Sequence, residues 1–144
     1  MNAGTVSNTI GLGNSNFPIV GGANDGKVLI VAGSAGTATD LFDPSTQASL
    51  GPGPTTTAAV DAGSFNIPFT RGTNKDKVLL HLGGTGPFAR VLNLYDPITN
   101  SFSLNGFAPF TMSNSAPDPL LLREGVHLIS PGMPGGSGYF FFYQ

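Results

Sequence analysis

The sequence predicts an all-β fold made of about three repeated, four-stranded antiparallel units. Three observations carry this expectation. The chain repeats itself at a spacing of about 50 residues. Its apolar runs are short, rich in β-forming residues, and end at glycine or at an Asp-Pro step. No stretch holds a 3.6-residue apolar period with caps, so essentially no helix is expected. Composition agrees: 21 Gly and 12 Pro among 144 residues suit many short strands joined by tight turns.

The repeat is read directly by sliding the sequence on itself. Residues 13–36, GNSNFPIVGGANDGKVLIVAGSAG, lie over residues 63–86, GSFNIPFTRGTNKDKVLLHLGGTG. Identical pairs include Asn16/Asn66, Pro18/Pro68, Gly22/Gly72, Lys27/Lys77, Leu29/Leu79 and Gly33/Gly83. After a three-residue insertion near Pro87-Phe88-Ala89 the offset becomes 53, and DLFDPSTQAS lies over NLYDPITNSF. A third, degenerate copy follows, in which EGVHLISPG answers DKVLLHLGG and GYFFFY answers RVLNLY.

Each element has a local reason. In the first unit strands are expected near residues 14–20, 27–32, 38–42 and 48–50, and in the second near 64–70, 77–82, 90–95 and 101–104. The third unit has 119–122, 125–129 and 139–143. The run Asn24-Asp25-Gly26 is a tight-turn signal between the first two strands. Asp43-Pro44 and Asp96-Pro97 end the third strands, because proline lacks a ladder N–H and restricts the residue before it. The units span about 13–50, 62–105 and 111–144 of one repeat domain.

The motif Lys27-Val28-Leu29 with Gly33, then Leu41-Phe42-Asp43-Pro44-Ser45-Thr46, is answered by Lys77-Val78-Leu79 with Gly83-Gly84, then Leu94-Tyr95-Asp96-Pro97-Ile98-Thr99. This unit resembles the kelch repeat, and more closely the blades of bacterial kelch and galactose-oxidase-type β-propellers. The resemblance covers most of residues 13–143 and implies a partial β-propeller. The chain departs from the pattern in three places. The first unit has Ala32-Gly33 where a glycine pair is preferred. The aromatic expected at the start of the fourth strand is Phe102 in the second unit and Ser49 in the first. The third unit has no Asp-Pro step after its last aromatic run. Copper oxidases with such blades use a cysteine-linked tyrosine; this chain has no cysteine, so that chemistry does not carry over.

Propellers close with four to eight blades, so about three units cannot close alone. Three completions are open. The N-terminal segment 2–9 returns as the missing outer strand of the third unit; two chains join as three plus three blades; or other polypeptides supply the remaining blades. The uncharged aromatic run near the C-terminus needs cover as an edge strand, and self-association is the expected partner choice.

Charge narrows the function classes. Charged residues are only 10% and the net charge is −2. The six basic residues are mostly scattered, so no nucleic-acid-tracking stripe is expected. No apolar run approaches the roughly 18 residues of a membrane-spanning helix, so no membrane insertion is expected. The Gly/Ser/Thr/Asn-rich, weakly charged composition points to an extracellular, cell-surface or virion setting, although MNAGTVSNTIGLG carries no signal-peptide pattern.

Candidate sites each have a structural reading. His81 and His127 fall on one face of equivalent strands; a paired metal or proton-transfer role competes with ordinary strand hydrogen bonding, which is preferred. Asp43 and Asp96 are expected to cap turn N–H groups. Asp61 and Asp118 precede the innermost strands and are candidates for a central site. Phe88, Phe107 and Phe110 are expected in loops, as a glycan- or protein-binding patch or as packing between units. The glycine-rich runs open no helix and carry no P-loop lysine, so they read as turns. No cofactor, metal or catalytic residue is assigned. The sequence therefore predicts a non-enzymatic structural or interaction module that self-associates. A carbohydrate-binding propeller is the alternative, and a remnant of a larger secreted propeller enzyme the third reading.

Overall fold

A computed structural model of the chain describes residues 6–84 and 90–107, and the backbone of 118–123 and 126–130. The first sheet contains β1 (Ser15–Pro18), β2 (Val28–Val31), β3 (Thr39–Asp43) and β4 (Ala48–Pro52) in that order. The second repeats the arrangement with β5 (Phe65–Pro68), β6 (Val78–His81), β7 (Val91–Asp96) and β8 (Ser101–Phe107). Every neighbouring pair in both sheets is antiparallel. A two-stranded antiparallel ladder joins β9 (Asp118–Arg123) and β10 (Val126–Ser130). No helix occurs among the described residues. The run expected as a strand at 139–143 lies outside them.

The strands sit where the apolar runs placed them, with two systematic differences. The innermost strands are shorter than expected, because both end at a proline, Pro18 and Pro68. The outermost strands are longer, reaching Pro52 and Phe107. These are edge strands, mostly exposed and interrupted by Gly51 and Gly106, so their sequence signal is weak.

The repeat in sequence is also a repeat in hydrogen bonds. Gly11 N–H donates to Ala32 C=O at 2.9 Å, and fifty positions on Asp61 N–H donates to Leu82 C=O at 2.8 Å. Ile19 N–H to Lys27 C=O (2.8 Å) is matched by Phe69 N–H to Lys77 C=O (2.9 Å). Ser34 N–H to Leu12 C=O is matched by Gly84 N–H to Ala62 C=O. Gly33 and Gly83 have φ of +75° and +70°, and a Cβ on either would collide with backbone entering the unit. Glycine is therefore needed twice over. The partner of Gly83-Gly84 is Gly33-Ser34, which corrects the expected Ala32-Gly33; Ser34 takes the left-handed conformation itself, with φ +57°.

Strand alternation gives each sheet two faces. One face of the first sheet carries Phe17, Ile19, Leu29, Val31 and Leu41. It packs on Val78, Leu80, Leu82, Val91, Tyr95 and Phe102 of the second sheet. The Phe17 and Tyr95 rings meet at 5.5 Å and 56°, a tilted arrangement that aromatic quadrupoles favour. The second sheet's other face, Phe65, Ile67, Phe69, Leu79, Leu92 and Leu94, matches in register the first sheet's packed face and is also buried. The front of one unit thus meets the back of the next. Fully burying each large side chain stabilises by roughly 1.5–3 kcal/mol.

Candidate functional site

The most marked repeated side-chain feature is an ion-paired turn. Val28 lies opposite Phe42, so the next residues out, Lys27 and Asp43, face each other across β2 and β3. Lys27 Nζ donates to Asp43 Oδ2 at 2.6 Å. In the second unit Val78 lies opposite Tyr95, and Lys77 reaches Asp96 Oδ2 at 3.0 Å. The other carboxylate oxygen holds the turn: Asp43 Oδ1 accepts from Ser45 N–H and Oγ–H, and Asp96 Oδ1 accepts from Ile98 N–H. Lys27, then Ser45, holds the Asp43 carboxyl well below the usual carboxylate range. Burial pushes Asp96 up, but the bonds from Lys77 and Ile98 outweigh it and the net shift is downward. Pro44 and Pro97 follow in each turn. The acids and the lysines stand out in the sequence one by one; the signal of their pairing is their joint recurrence at neighbouring strand ends.

A second repeated device ties the incoming segment to the third strand. Buried Asn93 on β7 accepts from Thr57 N–H at 2.9 Å and donates to Thr57 Oγ1 at 2.6 Å. Its counterpart in the first unit, buried Asp40, accepts from Asn8 N–H at 2.8 Å and Asn8 Nδ2–H at 3.0 Å. Residues 6–9 form no strand. Asn8 takes in the first unit the place that Thr57 takes in the second.

Polar contacts cross between the sheets where β1 and β5 approach most closely. Asn66 Nδ2 donates to Ser15 Oγ at 2.7 Å and Asn16 C=O at 3.2 Å, and Ser64 Oγ donates to Gly13 C=O. Val60 forms an antiparallel bridge with Gly36: Val60 N–H donates to Gly36 C=O and Ala35 N–H donates to Val60 C=O, both at 2.8 Å. At the opposite end, Gly22 lies so close to Pro97 C=O that no side chain fits.

His81 is buried on the second sheet's front face, where the first unit has Val31. Its ring stacks on Phe65 at 4.9 Å and 12°. Nδ1 accepts from Gly83 N–H at 3.1 Å, which leaves the proton on Nε2, and Nε2 has no hydrogen-bond partner. Burial pushes its pKa down to about 4, so the ring is neutral at pH 7. It acts as a packed ring and a local acceptor. His127 lies on β10 opposite Leu121.

The remaining candidates are dispersed. Asp61 is partly buried and its Oδ1 accepts from the adjacent Ala62 N–H at 2.8 Å. Asp118 begins β9. Phe107 is the last residue of β8, not a loop residue, and is 62% exposed. Phe88 and Phe110 lie outside the described residues. No group of three or more His, Asp or Glu side chains suited to a metal ion occurs among the described residues. No helix there is long and apolar enough to cross a membrane. No protein-family model, curated protein or solved structure matches the chain.

Proposed function

We propose that the chain is a structural interaction module: about three consecutive kelch-like blades of a β-propeller, completed by association with further copies of itself. The observation that carries this reading is the directional stacking of the two sheets, the front face of the first on the back face of the second. Such an interface is heterologous, so each unit presents a different surface to its two neighbours. A run of these units is satisfied when a ring closes, and propellers close with four to eight blades. The chemistry-bearing residues support the same reading. Lys27, Asp43, Lys77 and Asp96 hold turns, while Asp40 and Asn93 hold incoming segments.

Light scattering on the purified chain at micromolar concentration tests the proposal. A dimer or larger species is expected, and a well-folded monomer overturns it. The carbohydrate-binding reading has one observation in its favour, the exposed Phe107 ring. A glycan array on which Phe107→Ala and the native chain give the same blank result removes it.

A further inference from the structure

The two units differ most on their back faces. In the second unit that face is sealed: Val78, Leu80 and Tyr95 are buried, and Val60, in the segment entering the unit, is 0% exposed. The first unit carries the same pattern at the same register positions, with Val28, Ile30 and Phe42 on the face and Ile10 in the entering segment. Ile30 at the centre of the face is buried and Asp40 beside it is held by Asn8, but the rim is open: Ile10 is 43% exposed, and Val28 and Phe42 are only partly buried. Asn66, which donates to the preceding unit, has Asn16 as its counterpart, and Asn16 is exposed. The main chain differs too. Val60 is bridged to Gly36 of the preceding unit, while Ile10 forms no such bridge among the described residues.

We infer that the back face of the first unit, Ile10, Asn16, Val28 and Phe42, is the docking site for the front face of a terminal unit from a second copy of this chain. The occupant follows from continuity with the interface inside the chain: what seals the second unit's back face is the front face of a repeat unit. Three contacts should be reproduced between chains. Ile10 and Phe42 go under apolar cover, the Asn16 amide donates to an incoming inner strand, and the Ile10 main chain forms the bridge that Val60 forms with Gly36. The inference rests on the self-association proposed above and specifies its surface.

The test compares sedimentation velocity of the native chain, Ile10→Glu, Asn16→Ala and Leu104→Glu. Leu104 is a control, being an exposed apolar residue on β8. Ile10→Glu should weaken the dimer by at least about a hundredfold, since docking buries an unpaired carboxylate. Asn16→Ala should weaken it by about tenfold, and Leu104→Glu should leave it intact. Amide exchange on the native chain supplies a check that needs no variant: the Ile10 N–H should gain protection as concentration rises. A native dimer that Ile10→Glu and Asn16→Ala leave unchanged, with no protection at Ile10, overturns this surface and leaves self-association standing. A native monomer overturns both.

Discussion

Replacing His81 by leucine should flatten the acid side of the stability profile. Above pH 6.5 the imidazole is neutral in both the folded and unfolded chain, so it contributes no pH dependence. Below that, the unfolded chain takes up a proton near pH 6.5 while the folded chain resists until about pH 4. The unfolded state binds more protons throughout this window, so stability falls as pH falls. Each pH unit within the window costs about 1.4 kcal/mol. Going from pH 7 to pH 5 should therefore remove about 2 kcal/mol at His81. Asp43 and Asp96 are shifted downward and keep their ion pairs across that range. At pH 7 the substitution should change stability little. It removes the orphaned Nε2–H but also the acceptor for Gly83 N–H. Urea unfolding of the native chain and His81→Leu at pH 7 and pH 5 reads the difference. An equal loss in both proteins would refute the assignment of His81 as a buried neutral ring.

Four further outcomes are expected. Gly22→Ala should destabilise by more than Gly26→Ala in urea unfolding. Both residues have positive φ, which costs about 1–2 kcal/mol for an L side chain, but only at Gly22 does the new Cβ strike the other sheet's Pro97 carbonyl. Lys27→Met should lower Tm more than Lys77→Met, because Asp43 is less exposed than Asp96 (10% against 27% for the side chains) and loses a shorter bond. Asn93→Ala should cost about 1–3 kcal/mol in chemical denaturation, since it removes both bonds that this fully buried amide makes to Thr57. Burial, aided by the Asp96 charge, pushes the Tyr95 hydroxyl up to about 12, so native stability should fall between pH 10 and 12 and Tyr95→Phe should remove that slope.

The sequence made legible whatever depends on local pattern. Apolar runs such as VLIV and VLLH place β2 and β6, and Asp43-Pro44 and Asp96-Pro97 place the ends of β3 and β7. The fifty-residue offset carries over into the hydrogen bonds because the same glycines and turn residues recur. What stayed hidden depends on register or on distant partners. The Lys27 to Asp43 pair needs the β2/β3 register, and Asn8 reaches Asp40 across 32 positions. His81 read as a possible proton-transfer residue because its side chain alone is ambiguous. Its counterpart Val31, in an apolar core position, was the signal that it is packed. β4 and β8 run longer than their sequence predicts because exposed edge strands carry little apolar periodicity.

The molar mass of the native chain by sedimentation equilibrium across the micromolar range tests the central claim most directly. The proposed docking on the back face of the first unit predicts a particle of at least twice the 14.7 kDa chain mass, dissociating on dilution. A folded species of 14.7 kDa at every concentration contradicts it.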